Sequence, residues 1–194
     1  MIKVGLTGGI GSGKSIVAEV FRILGIPIYN SDARAKALYV ESDEVRESVI
    51  SLLGTKAYDP SGELNRKWVG QKVFSDSGLL EQLNAIIHPA VGQDFINWVN
   101  QQDAAYIIKE AAILFESGAN RGMDLVIAVT APDEIRIQRV IQRDDLSKEE
   151  VQRRISSQMN QKELVKRSDF VIVNDNQRLI IPQILQIHEN IIHG

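Results

Sequence analysis

The residues Gly8-Gly9-Ile10-Gly11-Ser12-Gly13-Lys14-Ser15 have the spacing G-x-x-x-x-G-K-[ST] of a loop that cradles the phosphates of a nucleoside triphosphate. Glycines there let successive backbone N–H groups face an anion with no Cβ in the way. Lys14 has the reach to meet the β- and γ-phosphates, and the Ser15 hydroxyl is placed to ligate Mg²⁺. The flanks agree with this chemistry. Ile2 to Thr7 is a short apolar run of strand type, and Ser15 to Leu24 has helical periodicity. The phosphates would then meet a helix N-terminus and its partial positive charge.

Other residue types bear on phosphoryl transfer. Asp32 follows the second apolar run. In an open parallel sheet, ligands bind outside the carboxyl ends of the strands, so its carboxylate is placed to accept a proton from an attacking hydroxyl. It is equally suited to capping a helix that starts at Ala33. Arg139 and Arg143 stand four apart on a helical segment and share a face, which Arg136 can join. Cations on a mobile segment would neutralise charge in a phosphoryl-transfer transition state; a solvated basic face is the alternative. Glu110 ends the third strand, where a carboxylate can hold Mg²⁺ through water. Glu116 reads either as part of that site or as a surface charge at a helix start. The three histidines form no ligand pair, which argues against a transition-metal site. His88 precedes Pro89 in a long helical stretch, where a kink is expected. Trp68 and Trp98 read as packing or as pocket wall.

These groups need a scaffold, and the pattern supplies one. Ile2–Thr7, Ile26–Tyr29, Ala105–Lys109, Leu125–Thr130 and Asp169–Val173 are apolar runs of the kind found in a parallel sheet covered on both faces. Helical patterns between them predict an α/β fold with right-handed crossovers, a parallel sheet of five strands flanked by helices. About seventy-five residues separate Tyr29 from Ala105, far more than one crossover needs. Helical periodicity over Asp32–Val40, Asp43–Leu53 and Gly78–Gln101, with a turn at Asp59-Pro60-Ser61-Gly62, makes this region a helical insertion, read as holding a second substrate, with packing alone as the alternative. A second insertion runs from Asp133 to Arg167. Within it, Ser147-Lys148-Glu149-Glu150 is a capping-box helix start. A last helix, Arg178 to Ile192, closes the core. The domain plan is therefore one unit over residues 1–194, with its core at about 1–30, 104–132 and 168–194, one helical insertion at about 31–103 and a second at about 133–167.

Composition narrows the function classes. A chain of 194 residues with net charge −3 carries no broad basic field for nucleic acid. The absence of cysteine excludes disulfides, thiolate metal sites and cysteine nucleophiles, and suits the cytoplasm. A core strand begins at once, which leaves no room for a cleavable leader, and no apolar run approaches the ~20 residues that cross a membrane. Small-molecule partners, no nucleic acid, no membrane, and a monomer or weak oligomer are the expectation.

Several further matches fall together. Thr7-Gly8-Gly9-Ile10-Gly11-Ser12-Gly13-Lys14-Ser15, Asp32 with Ala35-Lys36, Ile87-His88-Pro89 and Leu114-Phe115-Glu116 resemble motifs of the dephospho-coenzyme A kinase family. So do Arg139, Arg143-Asp144, Leu146-Ser147, Gln158-Met159 and Ser168-Asp169-Phe170-Val171-Ile172 with Asn174 beyond. The resemblance implies a P-loop kinase fold with a helical coenzyme A-side insertion and a helical lid. It implies ATP-dependent phosphorylation of the ribose 3′-hydroxyl of dephospho-coenzyme A, with Mg²⁺. By position it makes Asp32 the general base, with Lys14, Arg139 and Arg143 in the catalytic set. Gly8, Gly9 and Gly11 to Ile16 would hold the ATP phosphates, and Asn174 would lie on the nucleotide side. Lys36, His88 and Phe115 would be on the acceptor side, with Mg²⁺ on Ser15 and on Glu110 through water. Asn30 stands where the family often has an aspartate, and Glu110 where it often has an aspartate. The rival on the same core is another small-molecule or nucleoside monophosphate kinase. A nucleotide-dependent switch is the rival from another class, but no Asn-Lys-x-Asp guanine motif is present.

Overall fold

The computed structural model describes residues 1–74 and 76–194. The chain divides into two compact units, Met1–Asn30 with Gln102–Gly194, and Ser31–Gln101. The first holds β1 (Ile2–Thr7), α1 (Lys14–Ile23), β2 (Ile28–Asn30), β3 (Tyr106–Glu110) and β4 (Leu125–Thr130). It continues through α6 (Asp133–Asp144), α7 (Lys148–Ser156), α8 (Gln161–Lys166), β5 (Phe170–Val173) and α9 (Ile180–His193). The second holds α2 (Ser31–Glu41), α3 (Asp43–Leu53), α4 (Arg66–Phe74) and α5 (Ser77–Val99).

All five strands pair in parallel in the order β2-β3-β1-β4-β5. The expected sheet is therefore present. β1 lies at its centre, where successive connections leave to opposite sides, and the loop after it sits at the point where open α/β sheets bind ligands. The β1, β3 and β4 side chains Val4, Leu6, Tyr106, Ile108, Ile127 and Val129 pack with Val17 and Phe21 of α1 and Ile184, Ile187 and Ile191 of α9. Alternate residues of β4, Val126 and Ala128, serve the other face, where they meet Ala111, Leu114 and Phe115 from the segment after β3 and Leu164 of α8.

The second strand begins two residues later than the apolar run suggests. Ile26 is drawn back onto α1, its N–H donating to Phe21 O at 3.1 Å while Gly25 N–H donates to Arg22 O at 2.9 Å. This is a Schellman ending with Gly25 in the left-handed region, φ 84°. Pro27 has no N–H to offer a ladder, and pairing starts at Ile28.

In the second unit, Ser42 accepts from Val45 N–H and caps α3, and Asp76 accepts from Leu79 N–H and caps α5. Arg34 of α2 forms a two-pronged pair with Asp94 of α5, both contacts at 2.9 Å. The turn at Asp59–Gly62 is present; Asp59 Oδ1 accepts from the N–H of Ser61 and of Glu63. α4 is a helix that periodicity did not reveal. Its nine residues place their apolar members in two adjacent pairs, Trp68-Val69 and Val73-Phe74, too short a run to display a period, and its start is marked by Asn65 Oδ1 accepting from Trp68 N–H at 3.2 Å. α5 runs unbroken as one helix through Pro89. Among the described residues no helix is long and apolar enough to cross a membrane.

Candidate active site

The phosphate loop joins β1 to α1 as expected, and α1 starts at Lys14 with Gly13 before it in the left-handed region. Gly11 also has positive φ, 77°. An added Cβ at Gly11 would lie 2.5 Å from Arg136 O, so glycine is required there twice over, for conformation and for room. At Gly13 the place of a Cβ is taken by Asn174 Nδ2. The loop is thus packed tightly against α6 and the segment after β5.

Its backbone is bonded on that side. Arg136 Nε donates to Ile10 O at 3.0 Å, and Arg139 Nη1 donates to Gly11 O at 3.3 Å and Ser12 O at 3.4 Å. Asn174 Nδ2 donates to Ser12 O at 2.9 Å. Arg139 Nη2 also meets Asn174 O and Oδ1 at 3.2 Å and Asn176 Oδ1 at 2.6 Å. Ile10 N–H donates to Gln158 Oε1 at 2.8 Å. Within the loop, Ser12 N–H donates to Gly9 O at 3.0 Å. The Ser12 hydroxyl is buried and has no hydrogen-bond partner among the described residues.

Lys14 reaches back to the third strand. Its Nζ lies 3.0 Å from Glu110 Oε1, and Asn30 Nδ2 donates to Glu110 Oε2 at 2.7 Å. Glu110 is 4 % exposed. Burying this carboxylate is tolerable because a cation and an amide satisfy both its oxygens. Ser15 and Ile16 are exposed at the start of α1. A Mg²⁺ ion takes few protein oxygens and keeps waters and phosphate oxygens as its other ligands. The exposed Ser15 hydroxyl at the mouth of the loop and the Glu110 carboxylate beneath Lys14 are hard oxygen donors of that kind.

The arginines separate. Arg136, expected at most to join a basic face, is 4 % exposed and paired with Asp133 at 2.9 Å. Arg139 is spent on the loop and on Asn174. Arg143 points elsewhere; its side chain is 63 % exposed and pairs with its neighbour Asp144 at 2.7 Å. That contact raises the Arg143 pKa and lowers that of Asp144. Glu116 is not a bare surface charge at a helix start. Its Oε1 accepts from Met159 N–H at 2.9 Å, tying the segment after β3 to the one after α7. Phe115 is buried in the lower core, with the Arg167 guanidinium 4.5 Å from its ring centre. Asn174 is 8 % exposed, both ends of its amide engaged by the loop and Arg139.

Asp32, Lys36 and His88 belong to the other unit. α2 starts at Ser31, so Asp32 stands one residue inside the helix and is not the cap that sequence allowed. As an acid in the first turn it faces the positive helix end. Asp32 and Lys36 are exposed, and burial lowers the pKa of the half-buried His88. Sequence reasoning missed Gln158 as a loop contact and Asn176 as a partner of Arg139, and gave Arg136 only a secondary place. The charge spacing hinted at Arg136, and the Gln158-Met159 motif marked Gln158 through the resemblance; nothing local marked Asn176.

A parallel sheet in this order, with a G-x-x-x-x-G-K-S loop between its central strand and first helix and basic residues from a later helix on that loop, defines a P-loop kinase. Comparison narrows the class. The chain belongs to the dephospho-CoA kinase family, whose sequence model matches residues 2–179. A dephospho-CoA kinase of Porphyromonas gingivalis is 42 % identical over 192 residues, 98 % of this chain and 95 % of that protein. The crystal structure of TT1252 from Thermus thermophilus is 32 % identical and matches with a TM-score of 0.89, over 100 % of this chain and 98 % of that one. Dephospho-CoA kinase from Campylobacter jejuni is 26 % identical with a TM-score of 0.71, over 97 % and 96 % of the two chains.

Proposed function

We propose that this protein transfers the γ-phosphoryl group of ATP to the ribose 3′-hydroxyl of dephospho-coenzyme A, giving coenzyme A and ADP, the last step of coenzyme A synthesis. The family match across residues 2–179 carries this reading. The protein has little covalent chemistry to perform; it supplies position and charge. The amides of Gly11 to Ile16 receive the phosphates. Lys14 leaves Glu110 for the β- and γ-oxygens, a short move that exchanges one anionic partner for another. The Ser15 hydroxyl and, through water, Glu110 would hold Mg²⁺, which would supply neutralisation of phosphate charge. Asp32 orients the 3′-hydroxyl and takes its proton. Arg143, exposed and paired among the described residues with its sequence neighbour Asp144, is the cation we assign to meet the transferred group.

In this reading residues 1–30, 104–132 and 168–194 form the core and residues 31–103 hold the acceptor, with Lys36 and His88 on that side. Phe115 is an acceptor-side residue by the family motif alone, and residues 133–167 close as a lid that excludes water. The protein works in the cytoplasm as a monomer or weak oligomer, on small molecules, without nucleic acid or membrane.

The test incubates the protein with Mg²⁺-ATP and, separately, dephospho-coenzyme A, nucleoside monophosphates and shikimate, and locates the new phosphate by ³¹P NMR. Phosphate at the 3′-position of dephospho-coenzyme A alone is the expected result. Preferred transfer to another acceptor overturns the assignment. Asp32→Asn should lower kcat by ~10²-fold or more with the ATP KM little changed, as expected for loss of a general base; unchanged turnover removes Asp32 from the mechanism.

A further inference from the structure

Three consecutive carbonyls at the bend of the phosphate loop, those of Ile10, Gly11 and Ser12, accept hydrogen bonds from side chains of α6 and of the segment after β5. A trans peptide is planar, so the N–H of each following residue lies on the opposite side from the carbonyl it shares a plane with. Carbonyls drawn toward Arg136, Arg139 and Asn174 therefore turn the amides of Gly11 and Gly13 away from α6, toward the inside of the loop, while the Ser12 amide between them closes the turn onto Gly9 O. An array of amides so turned is an anion nest.

We infer that Arg136, Arg139 and Asn174 are positioning residues that hold these peptide planes in their anion-binding orientation from behind the loop, Arg139 acting through the loop rather than on the transferred phosphoryl group. This rests on the reading that the loop binds the ATP phosphates. Sequence alone suggested a different task for Arg139, neutralising charge in the transition state. Its two terminal nitrogens are instead engaged with Gly11 O, Ser12 O, both oxygens of Asn174 and Asn176 Oδ1. Arg136 is fixed in turn by Asp133, and Gln158 holds the N–H of Ile10, so the preceding peptide is oriented too. The donors come from separate elements, which resists a concerted slip of the loop. Dipoles oriented in advance need no reorganisation when the anion arrives.

The experiment measures ADP binding by calorimetry, with no acceptor present, alongside kcat, the ATP KM and the dephospho-coenzyme A KM. Asn174→Ala removes an uncharged member of the brace. Asn174→Asp keeps an acceptor for Arg139 but loses the donor to Ser12 O. Arg139→Lys keeps the charge but loses the planar fork that spans several acceptors. Each should weaken ADP binding and raise the ATP KM by a similar factor, about 10-fold for loss of one charge-assisted or buried hydrogen bond. kcat and the dephospho-coenzyme A KM should stay within about 3-fold, since the amides rather than the transition state are perturbed. The double variant Arg139→Lys/Asn174→Ala should lose less than the product of the single effects, because the residues share partners. A fall in kcat with ADP affinity intact on Arg139→Lys would return Arg139 to the transition state. Wild-type ADP affinity in both Asn174 variants would remove the brace, and these two keep the test decisive if Arg139→Lys does not fold. A wild-type protein that binds ADP but leaves dephospho-coenzyme A unphosphorylated would refute the proposed acceptor and leave the ADP comparison standing.

Discussion

Gly11→Ala should damage nucleotide binding far more than an alanine at another left-handed glycine, and the structure sets the size of the difference. Gly11 has φ 77° and Gly25 has φ 84°, so both substitutions carry the strain of a Cβ in the left-handed region, about 1–2 kcal/mol. At Gly25 an added Cβ meets nothing within 4 Å, so the strain is the whole effect. At Gly11 it would lie 2.5 Å from Arg136 O and 2.9 Å from Arg136 Cα. These are backbone atoms in a helix and cannot swing aside as a side-chain tip could. The loop must move off α6, adding about 1–3 kcal/mol of overpacking. In a protein of this size 1 kcal/mol corresponds to roughly 2–4 °C in Tm. Gly25→Ala should therefore unfold about 2–8 °C below wild type with ADP affinity unchanged. Gly11→Ala should unfold lower still, and its ADP affinity should fall at least ~10-fold, the equivalent of 1.4 kcal/mol. Thermal unfolding with and without saturating ADP, together with calorimetric titration of ADP, measures both. Equal Tm and equal ADP affinity in the two variants would refute the argument that the loop's seat on α6 shapes its binding surface.

Two other outcomes follow from the geometry. Glu110→Gln removes the carboxylate that holds Lys14, so magnesium-free ADP should bind more tightly while Mg²⁺-ATP turnover falls; titrations that change equally with and without Mg²⁺ would sever Glu110 from the metal. Burial holds the His88 pKa below its ordinary value of 6.5. Between the two values the unfolded chain binds the proton and the folded chain does not, so stability rises with pH through that window and is lost on acidification toward the folded value. Wild type should lose urea resistance relative to His88→Gln as the pH falls from 7 toward 5, and parallel pH profiles would show that His88 does not contribute.

The parts legible in the sequence were those whose causes are local. The capping box at Ser147 is present as read, with Ser147 Oγ accepting from Glu150 N–H and Glu150 returning the bond. Leu125–Thr130 and Ile2–Thr7 are strands with the bounds their apolar runs suggested. Where a neighbour in space intervened, reading failed by a residue or by a role. Ile26 looked like strand and is claimed by the end of α1. Asp32, read as a general base with capping as the alternative, sits inside α2 and is not its cap. Arg139 and Arg143 share a helix face, but four residues also separate them by about 6 Å along the axis. One reaches the loop carbonyls; the other finds Asp144 first.

The eight residues from Gly8 to Ser15 declared a phosphate site on their own, because a nest of amides, a lysine and a hydroxyl ahead of a helix is built from contiguous chain. Family membership was likewise legible, as an ordered set of short motifs. What only tertiary structure decided is how that loop is held. Arg136, Arg139 and Asn174 lie more than a hundred residues further along the chain. A carbonyl gives no sign in sequence of the partner it will accept from. The folding of β1, α6 and the end of β5 against one another brings these donors to three adjacent peptides, and that meeting is a property of the packed sheet and helices alone.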